Sequence, residues 1–192
     1  MTTNSPSCLA SVECGWVPFT TSEKLKMAGV KSVGPTRQRV KGTHPHSTLA
    51  KQLGEFVVIY SPLQMAADAM ENYEGQPALT FIESCPTTWS KTIIPNGKIG
   101  EFVTVARKER DGDRWFVGSI TNERAREIAL PLDFLDAEGQ YRAIIYEDGP
   151  GADYQTNPYP MTIRQEVVSH KTVLQLHLAR SGGAAIRIEK VK

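Results

Sequence analysis

Cysteine is scarce. The three present in 192 residues, Cys8, Cys14 and Cys85, cannot close into a full set of pairs, and their spacings match no zinc template. A disulfide-stapled scaffold is therefore excluded, and the cysteines read as bystanders. No apolar run approaches the length of about 18 residues that a membrane-spanning helix needs. Neither sign of charge dominates: 22 Lys and Arg stand against 21 Asp and Glu, so there is no global drive toward nucleic acid. The opening MTTNSPSCLASVECGW lacks both the basic start and the apolar core of a signal peptide. As written, the chain is expected to stay in the cytoplasm.

The most informative stretch is Thr48 to Glu74, TLAKQLGEFVVIYSPLQMAADAMENYE, where helix, strand and loop signals follow one another without a break. Ser47 and Thr48 suit an N-cap, and Leu49, Leu53, Phe56, Val57 and Tyr60 recur at helical spacing. The helix should stop near Ser61, because Pro62 disfavours the α region for its predecessor. Leu63 to Ala67 then read as a short buried parallel strand. Asp68 follows at once, with Glu71 and Glu74 in a polar loop. Two roles stay open for Asp68. It is either a turn or capping residue, or a pocket-lining carboxylate just past a strand end, where barrel enzymes place their chemistry.

Residues 1–43 show no sustained periodicity and are broken by Pro6, Pro18, Gly29, Gly34 and Pro35. They are expected to form a poorly structured leader. Six basic residues between Lys24 and Lys41 would suit an arm on RNA or DNA, but no aromatic residues interleave them as a stacking platform requires. A solvated segment is the simpler reading, and no nucleic-acid or membrane partner is expected. His44 and His46 flank Pro45 with no nearby carboxylate or cysteine set, so they are not expected to be metal ligands.

After Asp68, Pro77 to Ile82 suggest a short helix, and CPTTWSK a crossing in which Trp89 packs at a junction. From Lys91 the pattern becomes one of short strands. Thr92 to Pro95 lead into Asn96-Gly97, a strong hairpin signal, and Asp111-Gly112 separates Phe102 to Arg107 from Arg114 to Thr121. Strands follow at Glu127 to Leu130, Tyr141 to Tyr146, Met161 to Val168, Val173 to Leu178 and Ala184 to Ile188. About eight strands with turns at this spacing predict a mainly β fold, an antiparallel sandwich. The loop from Tyr146 to Tyr159 mixes aromatic and carboxylate residues, and Tyr154 and Tyr159 are its candidate carbohydrate-contacting side chains. The same residues equally suit an ordered loop that uses them for its own turns and packing.

The Thr48 to Glu74 stretch, with GEFVTVARK, RWFVGSIT, LPLDFLD, YEDGPGADYQTNPYP and GGAAIRI in order, resembles glycoside hydrolase family 97, the α-glucosidases and α-galactosidases. No resemblance is found before about residue 40, which leaves residues 1–43 as the expected leader. For the rest, the resemblance implies that 44–85 are a helix-strand-helix remnant of the last unit of a (β/α)8 barrel and 86–192 the family's C-terminal β-sandwich, often described as an oligomerisation domain. Members carry their catalytic carboxylates and active-site calcium in the barrel and typically work in the periplasm or outside the cell. Glycosidases need two carboxyl groups facing each other across the sugar, and spacing alone assigns no such pair here. The chain is thus expected to hold no catalytic residue, metal or cofactor of its own. Gly54-Glu55 departs from a more helix-favouring, apolar pair, as in an element released from selection.

A (β/α)8 barrel takes about 250 residues. The first expectation is therefore a fragment from a truncated or frame-shifted gene, inactive alone, whose sandwich gives structural support and subunit contact. The alternatives are a free-standing carbohydrate-binding module and one half of a split glycosidase whose barrel is a separate chain. In each case the apolar stripe of the helix has to pack on the sandwich, meet a partner or stay exposed.

Overall fold

A computed structural model describes residues 45–65 and 75–191. Residues 1–44, Asp68, Glu71 and Glu74 lie outside the described residues, as do the expectations placed on them. The chain divides into two compact units: residues 46–64 with 80–192, and residues 1–45 with 65–79. Of the second, only 45, 65 and 75–79 are described, including a turn closed by Leu79 N donating to Gln76 O at 3.0 Å.

The first unit begins with helix α1 (Leu49–Val58) and continues through α2 (Leu79–Ser84), β1 (Trp89–Lys98), β2 (Phe102–Glu109), β3 (Trp115–Thr121), β4 (Arg126–Pro131), β5 (Tyr141–Asp148), β6 (Met161–Val168), β7 (Val173–Leu178) and β8 (Gly183–Lys190). Six strands form an antiparallel sheet in the order β1-β2-β3-β8-β5-β6, and β4 pairs with β7 in a second sheet. The expected mainly β sandwich is present, with eight strands among the described residues.

The small sheet covers one face of the large one. β7 alternates exposed and buried residues, so Leu174, Leu176 and Leu178 point inward with Ile128 and Leu130 of β4. They meet Val117, Ala143, Ile145, Ile186 and Ile188 in one core. Each fully buried Leu or Ile stabilises the fold by about 1.5–3 kcal/mol. The central strands read as nearly continuous buried runs, because α1 covers their other face.

Thr48 caps α1, its hydroxyl accepting from Lys51 N at 3.2 Å. Leu49, Leu53, Phe56 and Val57 are buried, whereas Tyr60, beyond the helix end, is 59% exposed. The apolar stripe therefore packs on the sandwich itself. Close approach is made possible by glycine: a Cβ on Gly118 would collide with the Gly54 carbonyl, and one on Gly54 would lie 2.9 Å from Ala184 O. Gly54 is thus a contact residue, which corrects the reading of Gly54 as a sign of relaxed selection.

Two other expectations are corrected. The β1–β2 turn is not at Asn96-Gly97, which stay in β1, but at Lys98 to Glu101, where Glu101 N donates to Lys98 O at 2.9 Å and Gly100 adopts φ 75°. Asn96 is held in the strand because its side-chain amide donates to Ala129 O of β4 at 2.9 Å. Leu63 to Met65, the described part of the expected parallel strand, are not in a strand. Leu63 is 66% exposed, and no strand among the described residues pairs there.

Candidate functional site

The long loop after β5 and the turn before β8 together grip the first turn of α1. Leu49 N donates to Pro158 O at 2.9 Å, Thr48 N to Ser181 O at 3.2 Å, and the Ser181 hydroxyl to His46 O at 2.7 Å. Lys51 Nζ reaches Thr121 O at 3.0 Å and Ser181 Oγ at 3.2 Å. Behind this grip, Asp148 Oδ2 accepts from the Ala179 and Gly183 amides at 2.8 and 2.9 Å. Burial pushes the Asp148 carboxyl above the ordinary carboxylate range, while hydrogen bonds from Thr48 and those two amides pull the other way.

The loop also spends its polar groups on its own shape. Asp153 Oδ1 accepts from Gln155 N at 2.9 Å and Thr156 N at 3.2 Å, and the Asp153 and Asn157 backbones pair with each other. Hydrogen bonds from the Gln155 amide first, and from Thr156 with the Arg180 charge, hold the Asp153 carboxyl below its usual range. Arg180 bonds Asp153 Oδ2 at 3.1 Å and lies 5.3 Å from the Tyr154 ring centre. Tyr154 is only 8% exposed, with His46 packed nearby, while Tyr159 is 39% exposed. The structure therefore does not bring the two tyrosines together on one open surface. The loop's one carboxylate, Asp153, serves backbone amides and Arg180.

The other sequence-selected residues fall in structural places. Trp89 is buried at the start of β1, edge-on to Phe116 at 5.8 Å. His170 lies in the β6–β7 turn, and His177 on β7 pairs with Glu127 Oε1 at 2.6 Å. Cys85 is free, and burial pushes its thiol up to about 12. Among the described residues, no group of three or more His, Cys, Asp or Glu side chains is gathered as a metal ion would require.

Arg107 escaped the sequence reading. It sits on β2 beneath the end of α1, where Nε donates to Val57 O at 2.7 Å and Nη2 to Val58 O at 3.3 Å. Its guanidinium lies 5.4 Å from the Tyr60 ring centre and 5.9 Å from that of Trp89. A buried cation at a helix C-terminus answers orphan carbonyls and complements the macrodipole. The only sequence signal is a charge closing the mostly apolar run Phe102 to Ala106. A groove of about 630 Å³ lies near the β1–β2 turn, with Ile94, Ile99, Phe102, Val103 and Ile120 among its lining residues.

A helix clamped by a long loop onto an antiparallel sandwich defines the class of fold: a β-sandwich domain with one face of its large sheet covered by a helix. Residues 88–189 match the family model described as glycosyl-hydrolase 97 C-terminal, oligomerisation. The chain belongs to glycoside hydrolase family 97. It is 36% identical over 148 residues to a retaining α-galactosidase of Bacteroides thetaiotaomicron, covering 74% of this chain and 21% of that protein. It also matches a family 97 enzyme of Pseudoalteromonas sp. strain K8, solved with acarbose, at 46% identity and a TM-score of 0.75, over 78% of this chain and 24% of the other. A β-arabinopyranosidase structure at 24% identity and a TM-score of 0.62 shares the fold. The chain thus spans between a fifth and a quarter of these family 97 relatives.

Proposed function

We propose that this chain is the C-terminal part of a family 97 glycoside hydrolase, and that its sandwich supplies structural support and subunit contact without turning over substrate alone. The parent enzyme would hydrolyse terminal α-glucosidic or α-galactosidic bonds, with calcium in a barrel that the described residues do not include. The observation that carries the reading is the extent of the match: residues 88–189 match the family's C-terminal model, and the 148 residues aligned to the α-galactosidase amount to 21% of that protein. A (β/α)8 barrel takes about 250 residues, more than the 192 of this chain. The engaged Asp153 of the β5–β6 loop and the buried Tyr154 give less support to a free-standing carbohydrate-binding module.

The test is hydrolysis of p-nitrophenyl α-glucoside and α-galactoside by purified chain with added calcium, alongside its mass by light scattering. The expected result is no turnover and a mass above one chain. Turnover above a blank would overturn the inactive reading.

A further inference from the structure

The two edges of the six-stranded sheet differ in kind. β1 is guarded: its register with β2 slips between Trp89 and Lys91 and again between Ile93 and Asn96, and Pro95 lacks an amide to donate. β6 has none of these devices. Its eight residues pair with β5 without a break, no proline lies within it, and among the described residues nothing pairs with its outer edge. On the side away from the small sheet it shows Ile163, 39% exposed, and Val167, 72% exposed, with Gln165 between them. Its charges, Arg164 and Glu166, are of opposite sign and contact each other, and an unbroken edge with an apolar flank is a template for another strand.

The sequence of that strand is complementary to itself. We infer that the outer edge of β6 is the seam along which two copies of this chain join, antiparallel, about a two-fold axis at Gln165; the inference rests on the assembly reading above. A two-fold normal to the sheet preserves its faces, so the axis must pass through a residue and not between two. With the axis at Gln165, Ile163 meets the partner subunit's Val167, Arg164 meets the partner subunit's Glu166, and Gln165 meets itself. Moving the axis to Arg164 sets two arginines opposite each other, and moving it to Glu166 sets two glutamates opposite. Like charges directly opposite destabilise a ladder, whereas opposite charges and apolar pairs stabilise it. Arg164 is held within its own fold, bonding Glu147 at 2.7 Å and Gln175 O at 2.7 Å and contacting Glu166 of its own strand, so this face of β6 presents a neutralised Arg–Glu pair to the edge. The seam joins the two large sheets into one continuous sheet of twelve strands.

The test uses the full chain, with mass by light scattering over a dilution series and far-UV circular dichroism as a check on folding. Gln165→Lys and Gln165→Glu, each alone, set like charges against each other at the axis, and each should weaken the dimer about fivefold. Mixing the two variants should recover the affinity, because the self-opposed position becomes a Lys–Glu pair. Val167→Lys, at an exposed position, should weaken the dimer while leaving the melting temperature unchanged at concentrations where the wild-type chain is itself monomeric. An oligomer that resists all three substitutions overturns the seam while leaving the assembly reading intact. A wild-type chain that is monomeric at high micromolar concentration overturns both.

Discussion

Gly54→Ala is the sharpest test of how α1 meets the sheet, because helix propensity and packing predict opposite signs. In an exposed helix the substitution stabilises by about 1 kcal/mol. Here the new Cβ would stand 2.9 Å from Ala184 O and 3.2 Å from Ser119 O, both backbone atoms that cannot swing aside. Ordinary contact requires the helix to lift by about half an ångström, and a gap of that size forfeits roughly a quarter of each dispersion contact beneath it. Leu53 and Val57 are fully buried on that face, and overpacking of such a site costs about 2 kcal/mol. The net is a loss of about 1 kcal/mol, or a melting temperature lower by about 3 °C for a chain of this size. Thermal unfolding followed by circular dichroism reads this directly. A rise of similar size would mean that α1 does not rest on β3 and β8 as described.

Arg107→Met keeps much of the volume but leaves the Val57 and Val58 carbonyls unanswered, and should cost about 2–3 kcal/mol in urea unfolding. Glu55 carries the opposite lesson. Burial raises its carboxyl above the ordinary 4.5, against the pull of Lys51, so the folded state favours the protonated form and stability is lost as pH rises from about 4.5 through the raised value. Glu55→Gln should therefore raise the melting temperature at pH 7 and change it little at pH 4; equal effects at both would contradict the buried-carboxylate account.

The strands were the most legible part of the sequence. Met161 to Val168 and Val173 to Leu178 coincide with β6 and β7, because each is a run of strand formers bounded by turn residues, and β7 adds strict alternation. Asn96-Gly97 misled because a dipeptide signals a turn only where nothing else holds it. The Asn96 amide bond to β4 joins residues far apart in sequence, which no local pattern contains. Gly54 failed for the same reason, since its partner Gly118 lies on another element. Arg107 and Asp148 work by answering backbone groups brought in from distant segments, so their roles were invisible until those segments met. Tyr154 has the Arg180 guanidinium 5.3 Å from its ring centre, a contact from a distant segment that no local pattern contains.

The two ends of α1 are fastened by different parts of the sandwich, its start by the β5–β6 loop and the turn before β8, its end by Arg107 on β2. A helix held in this way is a piece of the domain, although the family match begins only at residue 88. Its four buried side chains, Leu49, Leu53, Phe56 and Val57, are together worth about 6–12 kcal/mol, comparable with the whole stability of a domain, about 5–15 kcal/mol. A chain of residues 88–192 should therefore expose the Phe116 and Gly118 face of the sheet, bind a hydrophobic dye and fail to melt cooperatively. A chain of residues 46–192 should unfold in one transition close to that of the full protein. Cooperative unfolding of the shorter chain at an unchanged temperature would show that α1 only rests on the sandwich, and the glycine contact would then need another explanation.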